Sequence, residues 1–313
     1  MSVIQVQSPG LLTTVQDLGR EGFGPLGVSP SGAADPISLR IGNRLVGNPE
    51  GAAGLEMTLL GGTFLFPQGA TIALTRSDFG ATLGGDPLDL WKSIEVSPGQ
   101  TLRVGSTRSG ARCYLSVHGG IMVKPFLGSA STHLLSGLGG YQGRALRKGD
   151  ALHIGREITS FRRRAIAARA LEQLAPRKVL RVTPGPQSDW FPESSIRAFY
   201  ENTYRVAEES NRMGLRLEGP PIARKSSDEM ITEGVSLGAV QITASGVPLI
   251  LFVEQQTTGG YPKIGNVISA DLHSLGQLRP RDEIRFEQVS WESARSLLGE
   301  QERLLASDGL IVG

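Results

Sequence analysis

Residues 256–262, Gln-Thr-Thr-Gly-Gly-Tyr-Pro, place hydrogen-bonding groups directly after an apolar run. The run at 247–253 is interrupted only by Pro248 and predicts a buried strand. Adjacent glycines permit positive φ and let backbone N–H groups approach a ligand closely, while Tyr261 adds a flat face and a phenol. A loop of this kind suits an anionic or amide-bearing small molecule. A simple hairpin turn is the competing interpretation.

The composition is that of an ordinary protein except for its high glycine content. The chain has 313 residues and a formal net charge of only +2, which gives no reason to expect nucleic acid as a partner. Its 41 glycines follow no collagen period and predict many turns between short strands. The one cysteine, Cys113, predicts a buried core thiol in a reducing compartment. Because we find neither a signal-peptide pattern nor an apolar run of 18 residues, we expect a cytoplasmic protein and no membrane partner.

The elements that must position the loop are mostly short strands. Asp35 as an N-cap, Pro36 in the first turn and Gly47 beyond the end predict one helix, and further helices are expected at 193–200 and 291–305. From residue 54 onward, short runs bounded by Gly or Pro predict strands. The predicted organisation is a β-rich half at 1–157, an arginine-rich helical connector at 158–177 and a second β-rich half at 178–313.

Several chemistries lack their motifs in this sequence. There is no Gly-x-x-x-x-Gly-Lys-Ser/Thr phosphate loop and no His-x-x-x-His or Cys-x-x-Cys zinc spacing. We therefore expect no metal. An enzyme of this kind is expected to bind and orient its substrate rather than to attack it with a side chain.

A set of motifs in fixed order identifies a family. The set comprises Thr-Thr-Val-Gln-Asp-x-Gly-Arg at 13–20, Leu-Gly-Ser-x-Ser-Thr at 127–132, Pro-Gly-Pro-Gln at 184–187, Ser-Asn-Arg-Met-Gly at 210–214 and the segment at 256–262. It resembles the biotin-dependent carboxyltransferase-like family that includes the C-type subunit of the prokaryotic 5-oxoprolinase, KipA, allophanate hydrolase subunit 2 and a portion of urea carboxylase. The resemblance extends over nearly the whole chain.

The resemblance implies a mainly β fold built from cyclophilin-like antiparallel β-barrels, with a few short helices and two β-rich halves around a cleft. It also implies a component, inactive alone, of an ATP-dependent hydrolase complex that opens the lactam 5-oxo-L-proline to L-glutamate. Its partners would be a homologous B-type, KipI-like subunit and a LamB/YcsF-like A-type subunit. Two alternatives stay open. One is the carboxyltransferase component of a urea carboxylase-like system with biotin on a separate chain, and the other is a KipA-like regulator that binds a kinase inhibitor.

Lactam opening is helped by donors that stabilise a developing oxyanion. The predicted catalytic donors are the N–H groups of Gly259 and Gly260 and the hydroxyls of Thr257 and Thr258. Arg212 completes the catalytic set as a bidentate clamp for a carboxylate or phosphate. The alternative for Arg212 is an ion pair that holds its own loop.

The predicted substrate-binding residues each have a structural alternative. Asp17 either orients substrate or caps its own turn, and Glu56 is either a perturbed acid or the partner of an arginine. His118 is either a general base or structural, and with Arg76 it departs from the family pattern, which leaves the substrate open. The loops at 13–20, 210–214 and 256–262 are expected to face one cleft. The complete predicted set is Gln16, Asp17, Glu56, His118, Ser129, Ser131, Thr132, Asn211, Gln256 and Tyr261.

Overall fold

Short strands dominate the structure, a computed structural model that describes residues 2–155, 163–226 and 230–313. The strands are, in chain order, β1 (Val3–Ser8), β2 (Leu12–Gln16), β3 (Gly54–Thr58), β4 (Thr63–Phe66), β5 (Ala70–Arg76), β6 (Thr82–Leu83), β7 (Asp86–Pro87), β8 (Ser93–Val96), β9 (Gln100–Arg103), β10 (Arg112–Val117), β11 (Ala151–His153), β12 (Ala165–Ile166), β13 (Val179–Pro184), β14 (Tyr204–Val206), β15 (Gly214–Glu218), β16 (Glu233–Gly234), β17 (Ala239–Ile242), β18 (Pro248–Leu251), β19 (Thr258–Gly259), β20 (Lys263–Val267), β21 (Glu283–Gln288) and β22 (Ile311–Val312).

The helices are few and short. They are α1 (Pro36–Val46), α2 (Ala168–Gln173), α3 (Glu193–Glu201), α4 (Leu272–Leu275) and α5 (Trp291–Ala306), with 3-10 turns at Gly24–Leu26, Ser188–Trp190, Ser269–Asp271 and Asp308–Leu310. The prediction of a mainly β fold with a few short helices is confirmed. Among the described residues, no helix has both the length and the apolar character needed to cross a membrane.

The chain divides into two units. The first comprises Met1–Arg20, Ser31–Leu174 and Leu305–Gly313, and the second comprises Glu21–Pro30 and Ala175–Leu304. Relative to the predicted halves, residues 21–30 belong with the second unit and 305–313 with the first, where β22 pairs with β12. The predicted connector at 158–177 falls partly outside the described residues. From residue 163 onward it contains β12 and α2.

Two sheets of the first unit share one hydrophobic core. One sheet has the strand order β11-β1-β4-β9-β6-β7 and the other β2-β3-β10-β5-β8. Because side chains alternate across a strand, each sheet turns one apolar face inward, with Phe64 from β4 and Leu115 from β10 both fully buried in that core. Cys113 lies there too, as predicted, and burial raises the pKa of its thiol.

Helix α1 begins and ends where its sequence punctuation predicts. The Asp35 carboxylate accepts a hydrogen bond from the Ser38 N–H at 3.0 Å, and Gly47 ends the helix with φ of 80°. Within the helix, Gly42 allows a close approach to β10, since a Cβ atom there would lie 2.6 Å from Ser116 Oγ. Helices were also predicted correctly at α3 and α5.

The second unit is built on a closed barrel with the strand order β13-β20-β17-β18-β15-β14-β21. All its pairings are antiparallel except β13 with β21, which are parallel. Helix α3 packs on the barrel through Phe199, whose ring stacks on Phe286 with centroids 4.3 Å apart. The predicted barrel is confirmed in this unit. Beside it, β16 and β19 form a separate two-stranded sheet.

Candidate functional site

A cavity of about 580 Å³ lies in the second unit, where β16 and β19 meet the start of β20. This volume falls within the range of about 300–1,000 Å³ typical of small-molecule sites. Polar groups on its walls come from separate segments of the chain. The lining residues include Glu233, Thr257, Thr258 and Lys263, together with Pro186 and Asn266.

The segment at 256–262 is ordered by strand pairing. Thr258 lies opposite Gly234 and Gly259 opposite Glu233, and the Val235 N–H donates to the Thr257 carbonyl at 3.1 Å. This pairing leaves the two threonines, whose hydroxyls are the predicted donors, on the cavity wall. The segment is therefore one strand of a small sheet formed with β16, rather than a hairpin turn closed on itself.

Neither glycine of this segment forms a left-handed turn, and Gly259 instead serves close packing. The expected positive φ is wrong, because neither Gly259 nor Gly260 has φ between +20° and +160°. A Cβ atom on Gly259 would lie 2.6 Å from Gln241 Nε2, a fully buried amide, so a side chain at 259 would collide with it. A Cβ atom on Gly260 would make only ordinary contacts, at 3.4 Å.

Two residues of the cavity wall, Lys263 and Glu233, form a polar cluster with Gln187, which follows the lining residue Pro186. Lys263 Nζ pairs with Glu233 Oε1, and Gln187 Nε2 donates to the same oxygen at 2.9 Å. The Lys263 backbone N–H in turn donates to Gln187 Oε1 at 3.2 Å, which orients the amide. The hydrogen bond from Lys263, with that from Gln187, lowers the pKa of Glu233 below its usual value. The Lys263 side chain is 5% exposed, whereas that of Glu233 is 45% exposed.

Gly185 brings the segment that carries Gln187 against β20. Its N–H donates to the Ile264 carbonyl at 3.0 Å, directly after the pairing of Pro184 with Gly265. A Cβ atom at 185 would lie 2.8 Å from the Lys263 carbonyl carbon and closer still to its oxygen. Since real Cβ atoms do not approach backbone so closely, the Pro-Gly-Pro-Gln motif needs glycine here for Gln187 to reach Lys263.

Arg212 lies in the second unit and forms a buried ion pair. Its guanidinium contacts the Glu254 carboxylate, with side chains 5% and 3% exposed. The Glu254 N–H also donates to the Arg212 carbonyl at 2.8 Å, and Asn211 Oδ1 accepts from the Met213 N–H at 2.8 Å. These contacts hold the loop that carries Arg212, as the ion-pair alternative for this residue predicts. The roles of Arg212 as a clamp and of Asn211 as a substrate ligand stay predictions.

Gln256 and Tyr261 flank the threonines of the same segment. The Gln256 amide lies near Gly259, at 3.1 Å from the position of a Cβ atom there. Tyr261 is 41% exposed, and its carbonyl accepts a hydrogen bond from Gln241 Nε2 at 3.4 Å. Their predicted contacts with substrate stay predictions.

In the first unit, Asp17 is the centre of a loop-fixing network. Its Oδ1 accepts from Ser129 Oγ at 2.7 Å and from the Gly19 N–H at 2.8 Å, and Ser131 Oγ donates to the same atom. Gln16 Nε2 donates to the Thr132 carbonyl at 3.2 Å. The structure thus brings these five predicted residues together, with Asp17 capping its own turn and also anchoring a loop more than a hundred residues away.

Glu56 and His118 make local contacts elsewhere in this unit. Glu56 Oε1 lies 3.3 Å from Arg112 Nε, as the pairing alternative predicts, and its Oε2 accepts from Tyr114 OH at 2.7 Å. Burial, with the charge of Glu56, raises the pKa of the Tyr114 phenol well above its usual value. His118 Nδ1 lies 2.6 Å from the Val46 carbonyl at the end of α1.

Arg76 is likewise a structural residue of the first unit. Its guanidinium contacts the Asp35 carboxylate, and its Nη1 donates to the Leu174 carbonyl at 2.9 Å.

Sequence reasoning found the two threonines of the cavity but missed Lys263, Glu233 and Gln187. Lys263 begins a strand that continues with Ile264 and Gly265, and Gln187 ends a motif that served only to indicate the family. A lysine at the buried end of such a strand was the available signal. Within the part of the chain that the structure describes, no cluster of three or more His, Cys, Asp and Glu side chains could hold a metal.

Comparison with known proteins assigns the chain to a family and finds full-length relatives. The family described as "Carboxyltransferase domain, subdomain A and B" matches residues 26–288. The C subunit of the 5-oxoprolinase of Escherichia coli (strain K12) is 38% identical over 301 residues, which are 96% of each chain. The urea amidolyase of Saccharomyces cerevisiae is 36% identical over 98% of this chain, but this chain spans only 18% of that protein.

A solved structure shares the fold over nearly the whole chain. The crystal structure of the urea amidolyase of K. lactis superposes on 99% of this chain with a TM-score of 0.91 at 34% identity. This chain corresponds to 21% of that protein. The fold of both units therefore recurs within a much larger enzyme.

Proposed function

This chain belongs to the carboxyltransferase family of subdomains A and B, and we propose that it acts as the C-type component of a 5-oxoprolinase. The observation that carries the proposal is the similarity to the Escherichia coli C subunit, at 38% identity over 96% of both chains. The urea amidolyase match is nearly as strong in identity, but it involves less than a fifth of that protein.

In this proposal the cavity of the second unit binds the lactam. Hydrolysis joins a water oxygen to the lactam carbonyl carbon and breaks the ring C–N bond, which yields the carboxylate and amine of glutamate. Negative charge develops on the carbonyl oxygen during the addition. Thr257 and Thr258 line the cavity, and their hydroxyls are the proposed donors to that oxygen.

The complex, rather than this chain alone, is the proposed catalyst. We assign it a B-type and an A-type partner, ATP as the cosubstrate that is hydrolysed as the lactam opens, and a cytoplasmic location. The support is that two relatives are themselves C subunits of a 5-oxoprolinase, which implies that further subunits exist. A separate component that is inactive alone also fits a sequence with no phosphate loop.

A carboxyltransferase role is the second candidate, because the K. lactis urea amidolyase shares the fold with a TM-score of 0.91. In that role, biotin on a separate chain would deliver the carboxyl group to a urea-type amide. Both candidate functions place a small amide substrate in the same cavity. They differ in whether a biotin-bearing chain is required.

The test is a reconstitution of this chain with its candidate A-type and B-type partners. We expect 5-oxoproline-dependent release of ADP and formation of glutamate only when all three chains are present. Thr257→Val and Thr258→Val remove one hydroxyl each at nearly constant volume, and each should lower kcat on the order of 100-fold. Thr101→Val, in strand β9 of the first unit, is the matched control and should keep full activity.

Two results would decide against this proposal. One is the absence of glutamate in every combination of the three chains, and the other is full activity in both threonine variants. Urea-dependent turnover that requires a biotin-bearing chain would instead support the carboxyltransferase role.

A further inference from the structure

The ion pair of Lys263 with Glu233 differs from the other buried ion pairs of its unit. In the pair of Arg212 with Glu254, both side chains are at most 5% exposed, and in Arg181 with Asp271 they are 15% and 0% exposed. Lys263 is equally buried, but the carboxylate that neutralises it is 45% exposed on the rim of the cavity. A buried ammonium requires a negative partner, and here that partner is half in solvent.

We propose that Lys263 and Gln187 form a carboxylate-binding subsite, which the Glu233 side chain occupies until the carboxylate of the substrate displaces it. The occupant is a small molecule that bears both a carboxylate and an amide. The identity of that molecule as 5-oxoproline rests on the proposed function. The existence of the subsite does not.

The donors of the subsite are already arranged for a carboxylate. Lys263 Nζ and Gln187 Nε2 converge on one oxygen of Glu233. The Gln187 amide is held with its NH₂ group toward that oxygen, because its own oxygen accepts from the Lys263 N–H at 3.2 Å. An incoming carboxylate would therefore find both donors preorganised, which lowers the entropic cost of binding.

Glu233 is placed where it can leave at low cost. It sits on the two-residue strand β16, whose partner β19 also has two residues, and both β16 residues are exposed. Segments with few hydrogen bonds and high exposure open with small free energies. Because one carboxylate replaces another, the charge of Lys263 stays neutralised in both states, and no unpaired buried ion is formed.

The neighbouring groups define the other end of the ligand. Thr257 and Thr258 line the same cavity as Lys263. A ligand whose carboxylate contacts Lys263 would therefore have its amide in the part of the cavity that these two residues line. The ordinary pKa of a glutamate is already well below 7 and that of Glu233 is lower still, so its carboxylate is charged at neutral pH and competes with the ligand.

The experiment measures binding to the full chain by calorimetry, without turnover. The probes are 5-oxo-L-proline, L-proline and 2-pyrrolidinone, which is the same lactam without a carboxylate. We expect 5-oxo-L-proline to bind and 2-pyrrolidinone to bind at least 10-fold more weakly. Glu233→Ala should tighten 5-oxo-L-proline binding about 10-fold. In the unchanged protein the Glu233 carboxylate occupies the subsite in most molecules, and the variant leaves the subsite open in all of them.

Lys263→Met should weaken 5-oxo-L-proline binding at least 10-fold. Gln187→Leu should weaken it less, and it provides a second variant should Lys263→Met fail to fold. Glu218→Gln is the matched control, because Glu218 also pairs with an arginine in this unit but lies on the exposed face of β15, with a side chain 49% exposed. It should leave all three affinities unchanged.

The inference is overturned if Glu233→Ala weakens binding, if 2-pyrrolidinone binds as well as the carboxylates, or if no carboxylate binds. The outcome for the proposed function is separate. Lysine-dependent binding of L-proline or 5-oxo-L-proline without glutamate formation in the reconstituted complex keeps the subsite and rejects the 5-oxoprolinase. Glutamate formation with an unchanged KM in Lys263→Met keeps the 5-oxoprolinase and rejects the subsite.

Discussion

Replacing Gly185 by alanine tests whether the Pro-Gly-Pro-Gln motif builds the candidate site. The glycine has no left-handed φ, so alanine introduces no backbone strain of that kind. Its new methyl group would instead meet backbone atoms of β20, 2.8 Å from the Lys263 carbonyl carbon and from the Gly265 nitrogen. Backbone in a closed barrel has little freedom to retreat, unlike the end of a flexible side chain.

The magnitude follows from the displacement that this collision requires. Carbon atoms are at their optimal separation at about 3.5–4.0 Å, so the turn and β20 must separate by roughly 0.7 Å or more. Overpacking of this kind costs about 1–3 kcal/mol, and losing the hydrogen bond from Gly185 to Ile264 adds about 0.5–1.5 kcal/mol. We expect a loss of about 2–4 kcal/mol in the free energy of unfolding.

The assay is urea denaturation followed by tryptophan fluorescence, combined with the binding of 5-oxo-L-proline. Gly309→Ala is the control, because Gly309 has no left-handed φ and no atom within 4 Å of a Cβ position. Gly185→Ala should lose both stability and affinity, since Gln187 is moved away from Lys263. A free energy of unfolding within about 0.5 kcal/mol of the unchanged protein would refute the packing argument.

Four further substitutions test the first unit and the helices. Gly42→Ala should destabilise the protein by about 1–3 kcal/mol, because the Ser116 side chain fills the space that the new methyl group would need. Gly299→Ala, in the open middle of α5, should stabilise it by about 0.5–1 kcal/mol. Changes in the free energy of unfolding that had the same sign for both variants in urea denaturation would contradict this. Tyr114→Phe should cost about 2–4 kcal/mol in the same measurement, since it removes a donor from a buried carboxylate and an acceptor from a buried N–H. Arg144 lowers the pKa of Asp150, so the stability from this pair is present above the unfolded-state pKa of about 3.9 and is lost as pH falls through the lower folded-state pKa. Arg144→Met should therefore be less stable by about 1–3 kcal/mol at pH 7, with the difference shrinking in acid; a difference independent of pH would contradict the linkage.

Local structure was predictable where local chemistry decides it. The bounds of α1 follow from Asp35, Pro36 and Gly47, which act within a few residues of the helix ends. The strands were predicted from their short apolar runs, but their order was not. Pairing β13 in parallel with β21 joins residues more than a hundred positions apart, and no short-range pattern encodes such a partner.

The candidate site was predictable in part for the same reason. Thr257 and Thr258 stood out because hydroxyls followed by glycines break an apolar pattern, and both line the cavity. Lys263 and Gln187 gained their significance only from each other, through the contact between the turn after β13 and the start of β20. Conversely, Asp17, Glu56 and Arg212 stood out as polar residues in motifs, and the structure shows each holding buried backbone or a buried opposite charge.

The contrast between two ion pairs of the second unit yields a last prediction that separates holding the fold from binding a ligand. Glu254→Gln leaves Arg212 buried without its carboxylate, and breaking such a pair costs about 3–5 kcal/mol in the free energy of unfolding. Glu233→Gln also removes the carboxylate from a buried cation, Lys263, but that carboxylate is 45% exposed and half in solvent, so we expect a smaller loss of about 1–3 kcal/mol. Urea denaturation should thus show Glu254→Gln to be the less stable of the two variants. If Glu233→Gln instead proved as destabilising as Glu254→Gln, Glu233 would be a structural counter-ion that a ligand could not displace, and the carboxylate subsite would fail with it.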